Sequence, residues 1–340
     1  GIPAFYVNHV GAQTELIFDG GSMVMDAAGQ VVDALDYFRE DFRVFDTDQL
    51  HAVRELPAPS PKIARIHDAL VLGVKEYFRK LGFDRAVLGL SGGIDSAVTM
   101  VLAAEALGPE NVTGVLLPSQ FSSDHSVDDA RQLISNLGAR ERVLPIESVF
   151  REFEGLLEPA FRGLPFGLAE ENLQARIRGT LLMALSNKFG DIVLNTSNKS
   201  EAAVGYGTLY GDMCGGLSVL GDVYKTEVFE LARWMNRHGE RIPENTITKP
   251  PSAELRPDQK DSDSLPAYDQ LDQVLYQYIE QRKGPQEIMA MGFAEELVRK
   301  TLRLVNINEY KRHQTPPILR VSPKAFGMGR RVPIVGKYLS

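Results

Sequence analysis

Leu88–Val98, with the sequence LGLSGGIDSAV, is the stretch that decides the fold of this 340-residue chain. It begins inside a short apolar run at 86–90, which predicts a buried parallel strand. The next three residues, Ser91-Gly92-Gly93, predict a tight turn, and the residues from Ser96 onward favour a helix. The sequence therefore predicts a strand, a glycine loop and a helix in direct succession.

The glycine loop has the chemistry of an anion-binding site. Gly92 and Gly93 let backbone N–H groups approach an oxyanion, and the helix start adds unpaired N–H groups and a positive dipole end. Ser91 and Ser96 add hydroxyl donors. Asp95 would repel a phosphate unless a Mg²⁺ ion lies between them. Ordinary helix capping accounts for one serine or the aspartate, but not for the whole set, so we favour phosphate binding.

Composition narrows the classes of function. The net charge is −8, so the chain has no basic surface that would favour nucleic acid as a partner. The single cysteine, Cys214, excludes an internal disulfide framework and fits a reducing, cytoplasmic compartment. No apolar run approaches the roughly 20 residues that span a bilayer, so no membrane partner is expected. The chain starts without Met and inside an element, so we expect a piece of a longer protein.

The loop sequence SGGIDS, at 91–96, resembles the SGGxDS loop of the N-type ATP pyrophosphatases, which cleave ATP between its α and β phosphates. It lacks the lysine and the spacing of the GxxxxGK[ST] loop. The resemblance implies that the loop binds ATP, with Asp95 serving both catalysis and the metal. The ATP contacts that it implies here are Ser91, Gly92, Gly93, Asp95 and Ser96.

Further apolar runs alternate with helical patterns after the glycine loop. Strands are predicted at 112–118, 142–146 and 191–194, with helices between them. This order predicts an α/β fold with a doubly wound parallel sheet, Rossmann-like and similar to the adenine nucleotide α-hydrolases. Ligands of such sheets bind beyond the carboxyl ends of the strands. The loops that start at Ser91, Pro118 and Asn195 are therefore expected at one edge.

The first 50 residues have a different, β-rich pattern. Strands are predicted at 5–10, 15–22, 23–26, 30–33 and 42–46, with a glycine turn at the end of the second. The sequences YVN at 6–8 and FDGGS at 18–22 resemble the tail of a nitrilase-type glutaminase domain. That family uses a Glu-Lys-Cys triad whose cysteine would lie upstream, so we expect no glutamine hydrolysis by this chain.

Three parts follow from these patterns. Residues 1–55 are expected to be the C-terminal remnant of a nitrilase-like glutaminase domain. Residues 56–62 form a proline-rich linker. Residues 63–340 are expected to be an ATP pyrophosphatase domain.

A second polar loop follows the predicted strand at 191–194. Its sequence, NTSNKSE at 195–201, suits phosphate and metal, although helix capping remains an alternative. In the family, the position of Thr196 contacts ATP and that of Glu201 binds magnesium. Asp95 and Glu201 would then hold one Mg²⁺ ion, with phosphates and water as its other ligands.

Two more positions match ATP contacts of the family. Lys225 falls in the first turn of a predicted helix, where a cation is unfavourable unless an anion lies nearby. It matches a lysine that meets the ATP phosphates, and we expect a catalytic role for it. Ser252 stands where the family usually has threonine, which keeps the hydroxyl group.

A third set of residues resembles the dinucleotide site of NAD synthetases. Asn172 and Arg176 lie four residues apart on a predicted helix that resembles the substrate helix of that family. The glycine-rich loop at 205–216 resembles the glutamine-dependent branch, because Leu209 replaces a lysine of the ammonia-dependent branch. The implied contacts with deamido-NAD are Asn172, Arg176, Glu201, Tyr206, Gly207, Thr208, Leu209 and Lys311.

The resemblance to glutamine-dependent NAD synthetase covers nearly the whole chain. It implies that ATP and Mg²⁺ drive the amidation of deamido-NAD through an adenylate, giving NAD, AMP and pyrophosphate. Nitrogen would come from ammonia, or from glutamine through a glutaminase domain that is mostly absent. A homodimer or higher homo-oligomer is expected, with the helix at 268–279 as a candidate interface. The alternatives are another SGGxDS ligase, such as a GMP synthetase or tRNA-modifying enzyme, and a non-catalytic nucleotide-binding module.

Overall fold

The computed structural model describes residues 1–50, 56, 60–257 and 259–336. The strands are β1 (Ala4–Tyr6), β2 (Val10–Gln13), β3 (Leu16–Asp19), β4 (Met23–Met25), β5 (Val31–Ala34), β6 (Ala86–Leu90), β7 (Val112–Leu116), β8 (Arg140–Val143), β9 (Ile192–Asn195) and β10 (Leu217–Ser218). The helices are α1 (Lys62–Leu81), α2 (Ile94–Leu107), α3 (Asp124–Leu137), α4 (Glu147–Phe161), α5 (Leu168–Phe189), α6 (Lys199–Val204), α7 (Lys225–Met235), α8 (Glu244–Thr248), α9 (Tyr268–Ile279), α10 (Pro285–Ala290), α11 (Glu295–Ile307) and α12 (Glu309–Arg312).

A five-stranded sheet forms the centre of the molecule, with the strand order β10-β9-β6-β7-β8 and parallel pairing throughout. The chain runs outward from β6 through β7 to β8, then returns to place β9 on the other side of β6. Ala86 pairs with Val112 of β7 and with Ile192 of β9. The predicted doubly wound parallel sheet is confirmed. The glycine loop leaves the sheet where the strand order reverses, which is where ligands of such folds bind.

The strand β6 is buried on both faces because successive side chains point to opposite sides. Leu88 and Leu90 pack with α1, α2 and α7 in one apolar cluster, whereas Val87 packs with α4 and α5 in another. This explains why β6 has a continuous apolar sequence rather than an alternating one. The two helical layers hold the glycine loop at the rim of a rigid sheet.

Some local predictions differ from the structure. The helix after the glycine loop begins at Ile94 rather than Ser96, so Asp95 and Ser96 lie in its first turn. The strand predicted at 42–46 is wrong, since Phe42 and Val44 are exposed and no neighbouring strand pairs with them in the described part of the chain. Arg43 instead forms an ion pair with Asp33. Alternation alone therefore misled the prediction there.

The N-terminal part packs against the α/β body through its hairpin. The strands β2 and β3 pair in antiparallel register, and β1, β4 and β5 form a separate antiparallel sheet. Lys80 of α1 donates a hydrogen bond to the carbonyl of Ala12, and Ile17 packs against the main apolar cluster. Of the prolines in the predicted linker, Pro57 and Pro59 lie outside the described residues, whereas Pro61 is the N-cap of α1, so the helix begins at the last residue of that predicted linker. Across the described ranges, every helix is too short or too polar to cross a membrane.

Candidate active site

The glycine loop adopts a conformation that requires glycine. Gly92 has φ +75°, and a Cβ there would lie 2.2 Å from the carbonyl oxygen of Ser126. The N–H of Gly93 donates to Ser91 Oγ at 3.2 Å, and Ser96 Oγ donates to the carbonyl of Gly93 at 3.0 Å. The loop therefore folds back on the first turn of α2. Both serine hydroxyls lie together at the N-terminus of that helix, 3.4 Å apart.

A cleft of about 290 Å³ opens at the carboxyl edge of the sheet. The predicted site residues that line it are Ser91, Gly93, Asp95, Ser96, Thr196, Glu201, Tyr206, Lys225 and Ser252. Gly92 belongs to the same loop but packs against Ser126. The residues predicted to contact ATP thus lie along one cleft, although they come from segments up to 161 residues apart.

The two predicted metal ligands lie on either side of one lysine. Lys225 Nζ donates to Asp95 Oδ2 and, at 3.3 Å, to Glu201 Oε1. The lysine side chain is only 3% exposed, whereas those of Asp95 and Glu201 are 16% and 15% exposed. The carboxylates therefore lie close together, with part of each open to the cleft.

The electrostatics of this group favour a further cation. Burial raises the pKa of Glu201 above its ordinary value, and the neighbouring charge of Asp95 raises it further. Burial opposes the charge of Lys225, but Asp95 and Glu201 outweigh it and raise the pKa of the ammonium group. Asp261 adds a third negative charge nearby, held by the hydroxyls of Tyr206 and Tyr268 at 3.0 and 2.9 Å.

The donor set fits Mg²⁺ bound together with a nucleotide. Carboxylate oxygens are hard ligands that suit Mg²⁺, and this ion usually takes one or two of them plus phosphates and water. Among the described residues, no group of three or more His, Cys, Asp or Glu side chains is arranged as a self-sufficient metal site. Asp95 and Glu201 are thus suited to holding a metal that arrives with phosphates.

The residues predicted to bind the dinucleotide form a second cluster around the 205–216 loop. Thr208 Oγ1 donates to Asn172 Oδ1 at 2.6 Å, and Arg176 Nε donates to the carbonyl of Leu209 at 3.2 Å. Lys311 Nζ donates to the carbonyls of Gly205 and Gly207, both at 2.7 Å. Only Tyr206 and Glu201 of this set line the cleft. The others fix the loop between α5 and α12, and their contact with substrate stays a prediction.

Arg178 is a cleft residue that the sequence reasoning missed. Its Nε donates to the carbonyl of Leu117 at 3.0 Å, and burial lowers the pKa of the guanidinium group to about 10. The residue lies two positions after Arg176, so the helix turns it towards the sheet rather than outward. The available sequence signal was its position next to Arg176, on the helix that resembles the substrate helix of the family.

Sequence reasoning also missed Glu254, which lines the cleft and belongs to the same segment as Ser252. Its carboxylate accepts hydrogen bonds from Ser123 Oγ at 2.9 Å and from Ser126 Oγ at 2.7 Å. The residue has φ +49°, an uncommon conformation for a non-glycine residue. Because 128 positions separate Glu254 from Ser126, no local sequence pattern predicts the contact between them.

Comparisons with known proteins agree with this geometry. The NAD synthase family model matches residues 66–315. A glutamine-dependent NAD(+) synthetase from Synechocystis sp. is 50% identical over 337 residues, which cover 98% of this chain and 60% of that protein. The structure of a glutamine-dependent NAD+ synthetase from Acinetobacter baumannii in complex with ADP is 45% identical, with a TM-score of 0.71, and the match covers 98% of this chain and 62% of that one.

A shorter relative is matched over its full length. The NH3-dependent NAD synthetase from Campylobacter jejuni is 29% identical with a TM-score of 0.60, and the match covers 77% of this chain and 100% of that one. This chain spans about 60% of the length of the curated Synechocystis relative. With a family model over most of its length and relatives at half identity, the chain belongs to the NAD synthase family.

Proposed function

We propose that this chain catalyses the ATP-dependent amidation of deamido-NAD, giving NAD, AMP and pyrophosphate. The observation that carries the proposal is the placement of Asp95 and Glu201 on either side of Lys225, at the N-terminus of α2 and within one cleft. This arrangement suits a polyphosphate that must be held and whose leaving group must be stabilised. The family membership of the chain supports the same chemistry.

In the first step, a carboxylate oxygen of the nicotinate group forms a bond to the α-phosphorus of ATP. The bond from that phosphorus to the bridging oxygen breaks, and pyrophosphate leaves. The hydroxyls of Ser91 and Ser96, the N-terminus of α2 and the ammonium of Lys225 would stabilise its charge. A Mg²⁺ ion held by Asp95 and Glu201 would neutralise phosphate charge. Two anions that repel each other are thereby kept in reacting distance.

In the second step, ammonia attacks the carbonyl carbon of the adenylate. The carbon–nitrogen bond forms, the bond from carbon to the phosphate oxygen breaks, and AMP leaves with that oxygen, while the nitrogen releases one proton to solvent. The 205–216 loop, Asn172, Arg176 and Lys311 would orient the dinucleotide for both steps. Arg178 lines the cleft and would contact the nucleotide phosphates or the developing negative charge.

Thr196 and Ser252 complete the proposed ATP site. Both line the cleft, on the loop after β9 and on the segment that carries Glu254. Their hydroxyl groups would hydrogen-bond to the nucleotide. The Ser252 hydroxyl already donates to the carbonyl of Gln259, which fixes the segment locally.

The proposed organisation of the chain has two functional parts. The family match begins at residue 66, which supports a synthetase domain from 63 onward, a linker at 56–62 and a separate unit before it. We assign residues 1–55 to the end of a glutaminase domain, which in the whole protein would supply ammonia. A homodimer or larger homo-oligomer remains part of the proposal.

The proposal is tested by incubating the chain with ATP, Mg²⁺, deamido-NAD and ammonium and measuring all products. We expect NAD, AMP and pyrophosphate in equal amounts. Replacing deamido-NAD with NAD, which already carries the amide, should stop pyrophosphate release. Formation of ADP would exclude attack at the α-phosphorus, and ATP binding without any pyrophosphate would favour a non-catalytic module.

A further inference from the structure

Asn198 is a buried residue that touches both proposed metal ligands. It is fully buried and is the N-cap of α6. Its Oδ1 accepts a hydrogen bond from the N–H of Glu201 at 2.9 Å, as expected of a helix cap. Its Nδ2 points the other way and donates to Asp95 Oδ1 at 2.8 Å. One amide group thus connects the start of α6 with the first turn of α2.

The four oxygens of the two acids are shared between two residues. Asp95 accepts from Asn198 through Oδ1 and from Lys225 through Oδ2. Glu201 accepts from the backbone N–H of Asn198 through Oε2, at 3.4 Å, and from Lys225 through Oε1. Asn198 and Lys225 therefore hold the carboxylates from two sides. If a metal ion or a phosphate displaced Lys225, Asn198 would be the residue that still contacts both carboxylates.

The neighbours of Asn198 keep it in place. Lys199 is fully buried and pairs with Asp222 and Glu280, and Ser200 Oγ donates to Asp272. These contacts anchor the next two residues of the chain in the protein interior. The Asn198 amide is consequently fixed before any ligand arrives, as a residue that orients metal ligands must be.

We infer that Asn198 is a positioning residue for the reaction, which orients Asp95 and Glu201 towards the metal–nucleotide in addition to capping α6. The inference rests on the proposed function, because it assumes that the two acids bind Mg²⁺ together with ATP. Without the Nδ2 donor, Asp95 can rotate about its side-chain bonds and lose its alignment with Glu201. Loss of such a supporting contact typically costs about 10–100-fold in metal affinity or activity.

Two substitutions separate positioning from capping. Asn198→Ser keeps an oxygen that can cap α6, but its short side chain cannot reach Asp95; Asn198→Ala loses both functions. We expect the serine variant to melt closer to the wild type than the alanine variant does. Asn198→Thr also keeps a capping hydroxyl and lacks the amide, so it should behave like the serine variant. It serves as a second test if one of the two variants folds poorly.

The decisive readout is ATP binding, measured by calorimetry with Mg²⁺ and with EDTA. We expect Mg²⁺ to strengthen ATP binding in the wild type, and the serine variant to lose about 10-fold or more of that gain while binding in EDTA is unchanged. Its kcat should fall by a similar factor, with the KM for deamido-NAD within about twofold. Asn308→Ser is the matched control, since Asn308 binds the other end of α6 through the carbonyl of Val204.

The possible outcomes are distinct. If the serine and threonine variants keep the full Mg²⁺ effect, Asn198 is only a cap and the inference is overturned, while the proposed function stands. If the wild type itself shows no Mg²⁺ effect on ATP binding, the proposed metal site fails and the inference fails with it. If Asn308→Ser loses the Mg²⁺ effect as well, the loss is not specific to Asn198, which also contradicts the inference.

Discussion

Two buried lysines, Lys199 and Lys225, each lie between two carboxylates, but only one of these groups faces the cleft. Lys199 Nζ lies 2.9 Å from Asp222 and 2.8 Å from Glu280, whose side chains are 0% and 4% exposed. Lys225 contacts Asp95 and Glu201, whose side chains are about four times more exposed than that of Glu280. The same kind of ion-pair group therefore occurs once in the core and once at the edge of the cleft.

The two groups differ in the number of polar partners of each ammonium group and in the exposure of the carboxylates around it. Lys199 donates to Glu280 and to Ser322 Oγ, both at 2.8 Å, and its Nζ also lies 2.9 Å from Asp222 and 4.7 Å from the Tyr224 ring centroid. Lys225 shares two acids that remain open to a ligand. We expect the fully buried group to stabilise the fold, and the partly exposed group to exchange a carboxylate for a phosphate.

The largest expected effect is on stability, from Lys199→Met. This change leaves Asp222 and Glu280 buried without their cation, which typically destabilises a protein by about 3–5 kcal/mol. Denaturant unfolding of the variant and the wild type measures the difference. A loss below about 1 kcal/mol would show that Lys199 does not hold the core together and would remove the contrast with Lys225.

Lys225→Met should act mainly on the reaction. Losing one hydrogen-bond donor that stabilises developing negative charge typically costs about 100–1,000-fold in rate, or about 2.7–4 kcal/mol, and we expect a loss of this size here. Because Asp95 and Glu201 are partly open to solvent, the stability of the variant should fall less than that of Lys199→Met. Pyrophosphate release and unfolding, measured on both variants, give the comparison. Activity within threefold of the wild type would argue against a role in the chemistry.

His67 provides a third buried cation between two acids, and its charge can be removed by pH. Burial alone would lower its pKa, but a hydrogen bond to Asp68 and an ion pair with Glu105, each at 2.9 Å, raise the pKa of His67 to about 9. Since the folded-state pKa is raised, the stabilisation is fully present below about pH 6.5 and is lost as pH rises through 9.

The rise of the His67 pKa to about 9 corresponds to a stabilisation of at most about 3–4 kcal/mol. Unfolding free energies measured at pH 6 and pH 9.5 should converge between the wild type and His67→Gln as the pH rises. Arg241 also pairs with Glu105, so that carboxylate keeps a partner in the variant. A constant gap between the two proteins across this range would contradict the ion-pair interpretation.

The smallest effect is expected from Lys62→Met. Lys62 lies 2.6 Å from Glu227 of α7, but its side chain is 72% exposed. Exposed ion pairs contribute little because water and salt screen them, so the change should stay below about 0.5 kcal/mol. The same unfolding assay serves as the measurement. A loss comparable to that of Lys199→Met would mean that burial does not separate these lysines.

Sequence reasoning reached those parts of the molecule that local pattern determines. The strand, glycine loop and helix of 86–107 follow from residues next to one another, and the parallel topology brought Asp95 and Glu201 to one edge. Sequence reasoning could not tell that the acids around Lys199 are buried and those around Lys225 partly exposed, because burial depends on residues distant in sequence, such as Glu280 and Ser322. The contact of Asn198 with Asp95 spans 103 positions and leaves no trace in either local pattern.

The central claim is that a carboxylate oxygen of the dinucleotide attacks the α-phosphorus of ATP in this cleft. Deamido-NAD labelled with ¹⁸O in its nicotinate carboxylate tests this directly, in a reaction with ATP, Mg²⁺ and ammonium. We predict that each NAD formed is accompanied by an AMP that carries one labelled oxygen. AMP without the label, or ADP as the product, would contradict the account.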